Sequence, residues 1–183
     1  MKHYFSKMAG KGQSQKIPSI AEMLWSFLGA FIGISLLYYL VLDSIAQYVL
    51  NSDINYIIGS FGASAVLIYA AVDSPYAQPR NLVGGHIISA LVGVFSYQMF
   101  STELWLAATI AVSSSIVIMQ LTKTLHPPGG ATALIAVIGS PQLHELGYSY
   151  ALFPVARGAI ILLIVALIIN NLSKNRQYPK HWL

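Results

Sequence analysis

The chain has no cysteine and only 6 acidic residues, and charged side chains make up 9% of its 183 positions. The absence of cysteine excludes disulfides, thiolate catalysis, iron–sulfur clusters and cysteine-ligated zinc. The scarcity of charge excludes a water-soluble globule, because 56% of the residues are hydrophobic and the mean hydropathy is +0.64, which leaves too little polar surface to face water. A net charge of +4 does not make a nucleic-acid binder. The basic residues sit in short tails beside apolar runs, not on a face that tracks phosphates. Catalytic strings are missing too: there is no His-Glu-x-x-His, no Gly-x-Ser-x-Gly, no Walker loop and no close pair of intramembrane carboxylates. His86, His126 and His144 lack metal-ligand spacing. The expectation is therefore a protein with no catalytic residues, no metal and no cofactor, and not an enzyme.

What is present is a series of long apolar runs. A helix needs about 20 mostly apolar residues to cross a hydrocarbon core of about 30 Å, and four runs qualify: Leu24 to Leu42, Gly84 to Phe100, Leu104 to Thr122 and Tyr150 to Leu172. Tyr56 to Val72 and Gly129 to Ser140 are shorter or interrupted by glycine. The second would reach only about 18 Å as a helix, so it either re-enters or needs help to cross. The fold class expected is all-α, a polytopic helical membrane protein of about six segments, some broken or re-entrant. Residues 1–19 form a basic cytoplasmic tail, 20–173 a single transmembrane domain and 174–183 a second cytoplasmic tail. If all six segments cross in turn, every Lys and Arg except Arg157 falls on one side: Lys2, Lys7, Lys11 and Lys16, then Arg80 and Lys123, then Lys174, Arg176 and Lys180. The opposite loops hold Asp43, Asp53, Glu103 and Glu145 with no basic residue. The positive-inside rule then puts both termini in the cytoplasm. With no cleavage pattern after the first run, the expected location is a bacterial inner (plasma) membrane.

An internal repeat runs through this layout. Shifting the chain by 68 positions lays Gly62-Ala63-Ser64-Ala65-Val66-Leu67 over Gly130-Ala131-Thr132-Ala133-Leu134-Ile135, and both stretches run on to Ser-Pro. Each is the middle member of a set of three segments, and the two sets run in opposite directions, so the expectation is a 3+3 inverted repeat of the kind many transporters use. Each middle segment is also expected to start as a half-helix after a break, at Gly59-Ser60-Phe61-Gly62 and at His126-Pro127-Pro128-Gly129-Gly130. Helix N-termini at Gly62 and Gly130 would aim free N–H groups and positive dipole ends at the midplane, which suits an anion.

The candidate substrate-binding residues follow from that picture. Gly62, Ala63 and Ser64, with Gly130 and Thr132, would supply backbone donors, while Gly129 and Gly130 allow a ligand close to the backbone. Arg80, His86, His126 and Arg157 would supply positive charge or protons, with Asn81 beside Arg80 in a second lining element. His126 to Gly130 reads equally as a tight loop between spans. Arg157, inside the last apolar run at a cost of at least about 2.5 kcal/mol, reads either as a site residue or as a side chain that snorkels to the headgroups. Ser113, Ser114, Ser115, Gln120 and Thr122 fit helix-packing contacts better than ligands.

Three stretches together resemble the HPP family of membrane proteins, named for a His-Pro-Pro motif found here at His126-Pro127-Pro128. They are Gly59-Ser60-Phe61-Gly62-Ala63-Ser64-Ala65, then Ser74-Pro75-Tyr76-Ala77-Gln78-Pro79-Arg80-Asn81 with Gly84-Gly85-His86, and Leu125-His126-Pro127-Pro128-Gly129-Gly130-Ala131-Thr132-Ala133. The resemblance runs from about Ile20 to Tyr178-Pro179. Some members, in plastids and cyanobacteria, are linked to nitrite transport, so the resemblance implies a carrier or channel for a small anion. Some members carry an appended soluble domain of the CBS type, which is not expected within these 183 residues. The expected partners are a small anion, most readily nitrite, and membrane lipid, with a homo-oligomer expected because one protomer could barely enclose a pore. Two rival readings are a non-transporting scaffold or sensor that binds lipid or a protein through its basic tails, and an intramembrane enzyme acting on lipid.

Overall fold

The computed structural model describes Ser6, Lys7 and residues 17–183, and the candidate tail charges Lys2, Lys11 and Lys16 lie outside the described residues. Among the described residues every regular element is helical. Helix α1 runs from Ile20 to Leu37 and continues through a wide π-type turn, Tyr38–Leu42, to Ile45. Ser19 starts it by accepting the Glu22 N–H at 3.3 Å. Helix α2 is Asn51–Ala70, α3 is Pro79–Phe100, α4 is Leu104–Leu121, α5 is Pro127–Ile138, α6 is the short Pro141–Glu145, and α7 is Arg157–Leu172, reached through a π-type turn at Ala151–Ala156. Five of these, α1 to α4 and α7 with its leading turn, are long and apolar enough to cross a membrane. The chain is a polytopic helical membrane protein.

The bundle has a basic end, carrying Arg80, Lys123 and Arg176, and an acidic end, carrying Asp53 and Glu103. The short α5 still runs from one to the other. At the basic end Arg80 Nη2 donates to the Thr122 carbonyl at 2.7 Å. At the acidic end the Asp53 carboxylate accepts the Ser140 N–H at 2.9 Å and the Ser140 hydroxyl at 2.5 Å. Twelve helical residues give about 18 Å. Behind a turn at Lys123, Thr124 to His126 lead into α5 outside any helix, and extended residues add about 3.3 Å each, so link and helix together span about 28 Å. The Pro127-Pro128 pair explains the arrangement: proline forbids helix behind it, and the chain enters in extended form.

The expected break at Gly59-Ser60-Phe61-Gly62 is not there. Helix α2 passes through all four residues without interruption. Glycine in a helix costs only about 1 kcal/mol relative to alanine, whereas an unpaired peptide group at membrane depth costs several, so continuing the helix wins. The second interruption falls in the last span instead, where Phe153 has extended dihedrals ahead of Pro154.

Small residues set the helix spacing, as expected where lipid supplies no hydrophobic drive between helices. Gly29 and Gly33 of α1 accept the ring of Tyr69 from α2, and Gly93 of α3 lies against the Ala133 backbone of α5. Alanines 107, 111 and 133 are fully buried together where α4 meets α5. The outer surface is apolar, with Phe27, Phe31, Phe95, Leu152 and Ile164 all exposed to what would be lipid. At the basic end Arg176 clasps α1 to α2: it pairs with Glu22 at 2.6 Å and donates to the Tyr69 carbonyl at 2.9 Å. The segment after α7 then folds over the α2–α3 link, where Tyr178 donates to the Ala77 carbonyl at 2.7 Å and the Lys180 N–H to Gln78 Oε1 at 2.8 Å.

Candidate functional site

The polar centre of the bundle is a closed network where α2, α3 and the start of α5 cross. Ser64 of α2 stands between two imidazoles, with its hydroxyl 2.7 Å from His86 Nε2 and 2.9 Å from His126 Nε2. The far nitrogen of His86, Nδ1, lies 2.7 Å from the Thr132 hydroxyl of α5, which is 2.8 Å from the Ser60 hydroxyl. The far nitrogen of His126, Nδ1, donates to the Tyr76 carbonyl at 2.8 Å. Ser64, His86 and His126 have no solvent exposure, and Ser60 and Thr132 almost none. Ser64 lies six residues before the end of α2 and His86 seven residues into α3, so the network sits about 10 Å inside the basic end. Each side chain has a partner, which is what burial of polar groups demands.

Local sequence places each member. Ser60 and Ser64 are one helical turn apart and so share a face of α2. Pro127-Pro128 hold His126 outside the helix, where its ring can turn back to α2, and Asn81 fixes that link by donating to the Leu125 carbonyl at 2.8 Å. Phe61 packs on His86 with ring centroids 4.8 Å apart, and the two imidazoles stand 5.0 Å apart.

Two cavities flank the network. At the basic end a pocket of about 370 Å³ is lined by Arg80, Asn81, Lys123, His181 and Tyr76, the residue whose carbonyl holds His126. Leu183 also lines it, and no Asp or Glu side chain does. Toward the acidic end a smaller cavity of about 50 Å³ is bounded by Tyr97, His144 and Tyr150. The Tyr150 hydroxyl donates to the Thr132 carbonyl at 3.3 Å, so this cavity ends one residue from the network. Among the described residues no group of three or more His, Asp or Glu side chains could hold a metal ion.

The family model for the transmembrane region of HPP proteins matches residues 15–179, nearly the whole chain. The chain belongs to the HPP transmembrane family. It is similar to two transmembrane proteins of Dictyostelium discoideum, being 42% identical to one over 186 residues and 44% identical to the other over 187. Each match covers 98% of this chain but only 63% and 57% of the respective relative, so the chain spans under two thirds of their length. No solved structure matches it.

Of the residues proposed from sequence, this HPP chain brings Ser64, His86, His126 and Thr132 together in one network and puts Arg80 and Asn81 in the pocket beside it. The others lie elsewhere. Gly62 and Ala63 are on the outward side of α2, with open space where a Gly62 side chain would be. Gly129 is packed against Ser89 and the Gly85 backbone, which leaves a ligand no room, and Gly130 faces an apolar groove between α4 and α5. Arg157 is exposed on the bundle surface with its guanidinium 5.3 Å from the centre of the Phe153 ring. The half-helix N-terminus also offers less than expected: Pro127 and Pro128 have no N–H, and that of Gly129 is bonded to the His126 carbonyl at 2.8 Å. Ser60, Tyr76 and Tyr150 escaped the sequence reading. Only Ser60 left a signal, standing one turn from Ser64.

Proposed function

We propose that this HPP protein carries a small anion across the membrane, with nitrite the first substrate to test. The observation that supports the reading most is the pocket of Arg80, Lys123 and His181, which no Asp or Glu side chain lines and which backs directly onto the buried two-histidine network. A cleft lined by one sign of charge concentrates the opposite ion. The positive end of the α5 dipole, behind His126, adds to that potential. A soluble-facing scaffold has no need of a desolvated polar network, whose members are conserved in energy only by pairing with one another.

The same reading includes a 3+3 inverted repeat. Exchanging α1, α2 and α3 for α4, α5 and α7 turns the α1–α2 packing into that of α4 on α5, and the α1–α7 packing into that of α4 on α3. The Ser60 hydroxyl lies 3.0 Å from the carbonyl of Pro128, its own equivalent 68 positions later, as residues on a pseudo-two-fold axis should meet. The basic end faces the cytoplasm by the positive-inside rule, and the functional unit is a homo-oligomer.

Flux of nitrite, nitrate, formate and chloride into liposomes containing the purified protein tests the reading. Selective anion flux is expected, falling about tenfold in Arg80→Gln and recovering in Arg80→Lys. No flux of any anion by correctly inserted protein would sink it.

A further inference from the structure

Hydrogen-bond chemistry fixes where each proton in the network sits. The Tyr76 carbonyl can only accept, so His126 carries a proton on Nδ1. Among the described residues no carboxylate touches either ring, and an unpaired buried imidazolium is costly, so both rings are neutral. Nε2 of His126 is then bare and needs a donor. Among the described residues Ser64, at 2.9 Å, is its one hydrogen-bond neighbour. Ser64 has a single proton, so at its other contact it accepts from His86 Nε2 at 2.7 Å. His86 is thereby the opposite tautomer, with a bare Nδ1 that takes the Thr132 hydroxyl proton at 2.7 Å. Thr132 in turn accepts from Ser60 at 2.8 Å. The longer alternatives, Ser64 to the Ser60 carbonyl at 3.3 Å and Thr132 to the Pro128 carbonyl at 3.4 Å, would each leave a buried ring nitrogen without a donor.

The chain of donors therefore has one direction: Ser60 to Thr132 to His86 to Ser64 to His126 to the Tyr76 carbonyl. We propose that the His86–Ser64–His126 bridge is a proton relay, which moves a proton from the Thr132 and Tyr150 side toward the pocket of Arg80 and Lys123. This goes beyond anion transport and does not require an anion as cargo. The step balances without any other reactant. A proton arrives on His86 Nδ1; His86 gives its Nε2 proton to the Ser64 oxygen as Ser64 gives its own to His126 Nε2; His126 then releases its Nδ1 proton to water or an anion at the Tyr76 edge of the pocket. One proton has moved, and both rings have changed tautomer.

The surroundings favour passage over storage. Among the described residues, besides the two imidazoles, α2 and α5 present no titratable group to the bridge, and Tyr150, just ahead of the last span, reaches only the backbone carbonyl of Thr132. The nearest charges line the pocket, Arg80 on α3 and Lys123 on the α4–α5 link, and both repel a lingering proton. Asp53, at the acidic end, is committed to Ser140 and the Leu50 N–H.

The test uses liposomes loaded with pyranine, with a valinomycin-clamped potassium gradient, first with sulfate as the only small anion and then with nitrate added. Acidification of the lumen in either arm is expected from the wild-type protein, reduced about a hundredfold in Ser64→Ala. Nitrate flux without proton movement in either arm would overturn the relay while leaving anion transport standing. Proton movement without nitrate flux would do the reverse. No proton movement in either arm overturns the relay. An independent readout is 15N NMR of histidine-labelled wild-type protein near neutral pH, assigned by difference with His86→Gln and His126→Gln. One Nδ1–H and one Nε2–H neutral ring are expected; two rings of the same tautomer, or a charged ring, would overturn the proposal.

Discussion

Helices α2 and α5 match in sequence, small residue for small residue, yet one crosses the bundle as an unbroken 20-residue helix and the other as 12 residues behind an extended link. The difference lies in which breaker each carries. Glycine makes a break possible and proline makes it compulsory, and membrane depth punishes every break that is merely possible. The link before α5 lets His126 point into the space between α2 and α3, where no regular helix would place it.

The largest effect that could break this comparison is expected at Gly129. A side chain there would begin 2.7 Å from the Ser89 hydroxyl and 3.0 Å from the Gly85 carbonyl, so Gly129→Val should cost about 3 kcal/mol or more and yield aggregated protein in size-exclusion chromatography. Gly62→Val on α2 meets nothing within 4 Å and should stay within about 0.5 kcal/mol of the parent. If both variants behave alike, the asymmetry between the two helices is wrong.

The halves also differ in what holds them together. Among the described residues an ion pair ties the segment after α7 to α1, whereas α3, α4 and α5 are joined by close-packed glycine and alanine and by hydrogen bonds without an ion pair, such as Ser96 to the Ala107 carbonyl. Arg176→Leu would leave Glu22 without its ion pair, and because the Glu22 side chain is 27% exposed the loss should be about 2 kcal/mol, below that of a fully buried pair. Thermal unfolding in detergent reads it. Asp53→Ala, which unties α2 from the end of α5, should cost about 2 kcal/mol by the same measurement, with Asp53→Asn recovering part of it.

The smallest expected effect is a pH dependence at the acidic end. His144, in the short α6, stacks on Tyr97 and donates to the Val137 carbonyl. Burial lowers its pKa below the ordinary histidine value, against weaker opposing effects of that carbonyl and Asp53. A lowered folded-state pKa means that the unfolded chain binds the proton first as pH falls. The contribution is thus whole above about pH 6.5 and is lost progressively below it. His144→Gln should flatten the acid side of the melting-temperature profile; an unchanged profile would remove His144 from the account.

Much of the architecture was legible in advance because it follows from local composition. The six segments, the shortness of α5 and the charge asymmetry of the loops all come from hydropathy and the reach of a helix, which neighbours do not alter. The site was legible only in part. Ser64, His86, His126 and Thr132 stood out as polar groups beside glycine and proline, but Gly62 and Ala63, as backbone donors, and Arg157, as a charge, were singled out with them and face outward. Which way a residue faces depends on helix rotation, and α2 is too evenly apolar for its sequence to set that rotation.

By itself, then, the sequence determined that this chain dissolves in lipid, which runs are long enough to cross it, and that its fifth segment must enter as extended chain, because these depend on transfer energies and on the two prolines. Only the tertiary structure decided that two histidines share one serine. Those contacts join residues 22 and 62 positions apart, through packing that no local preference encodes.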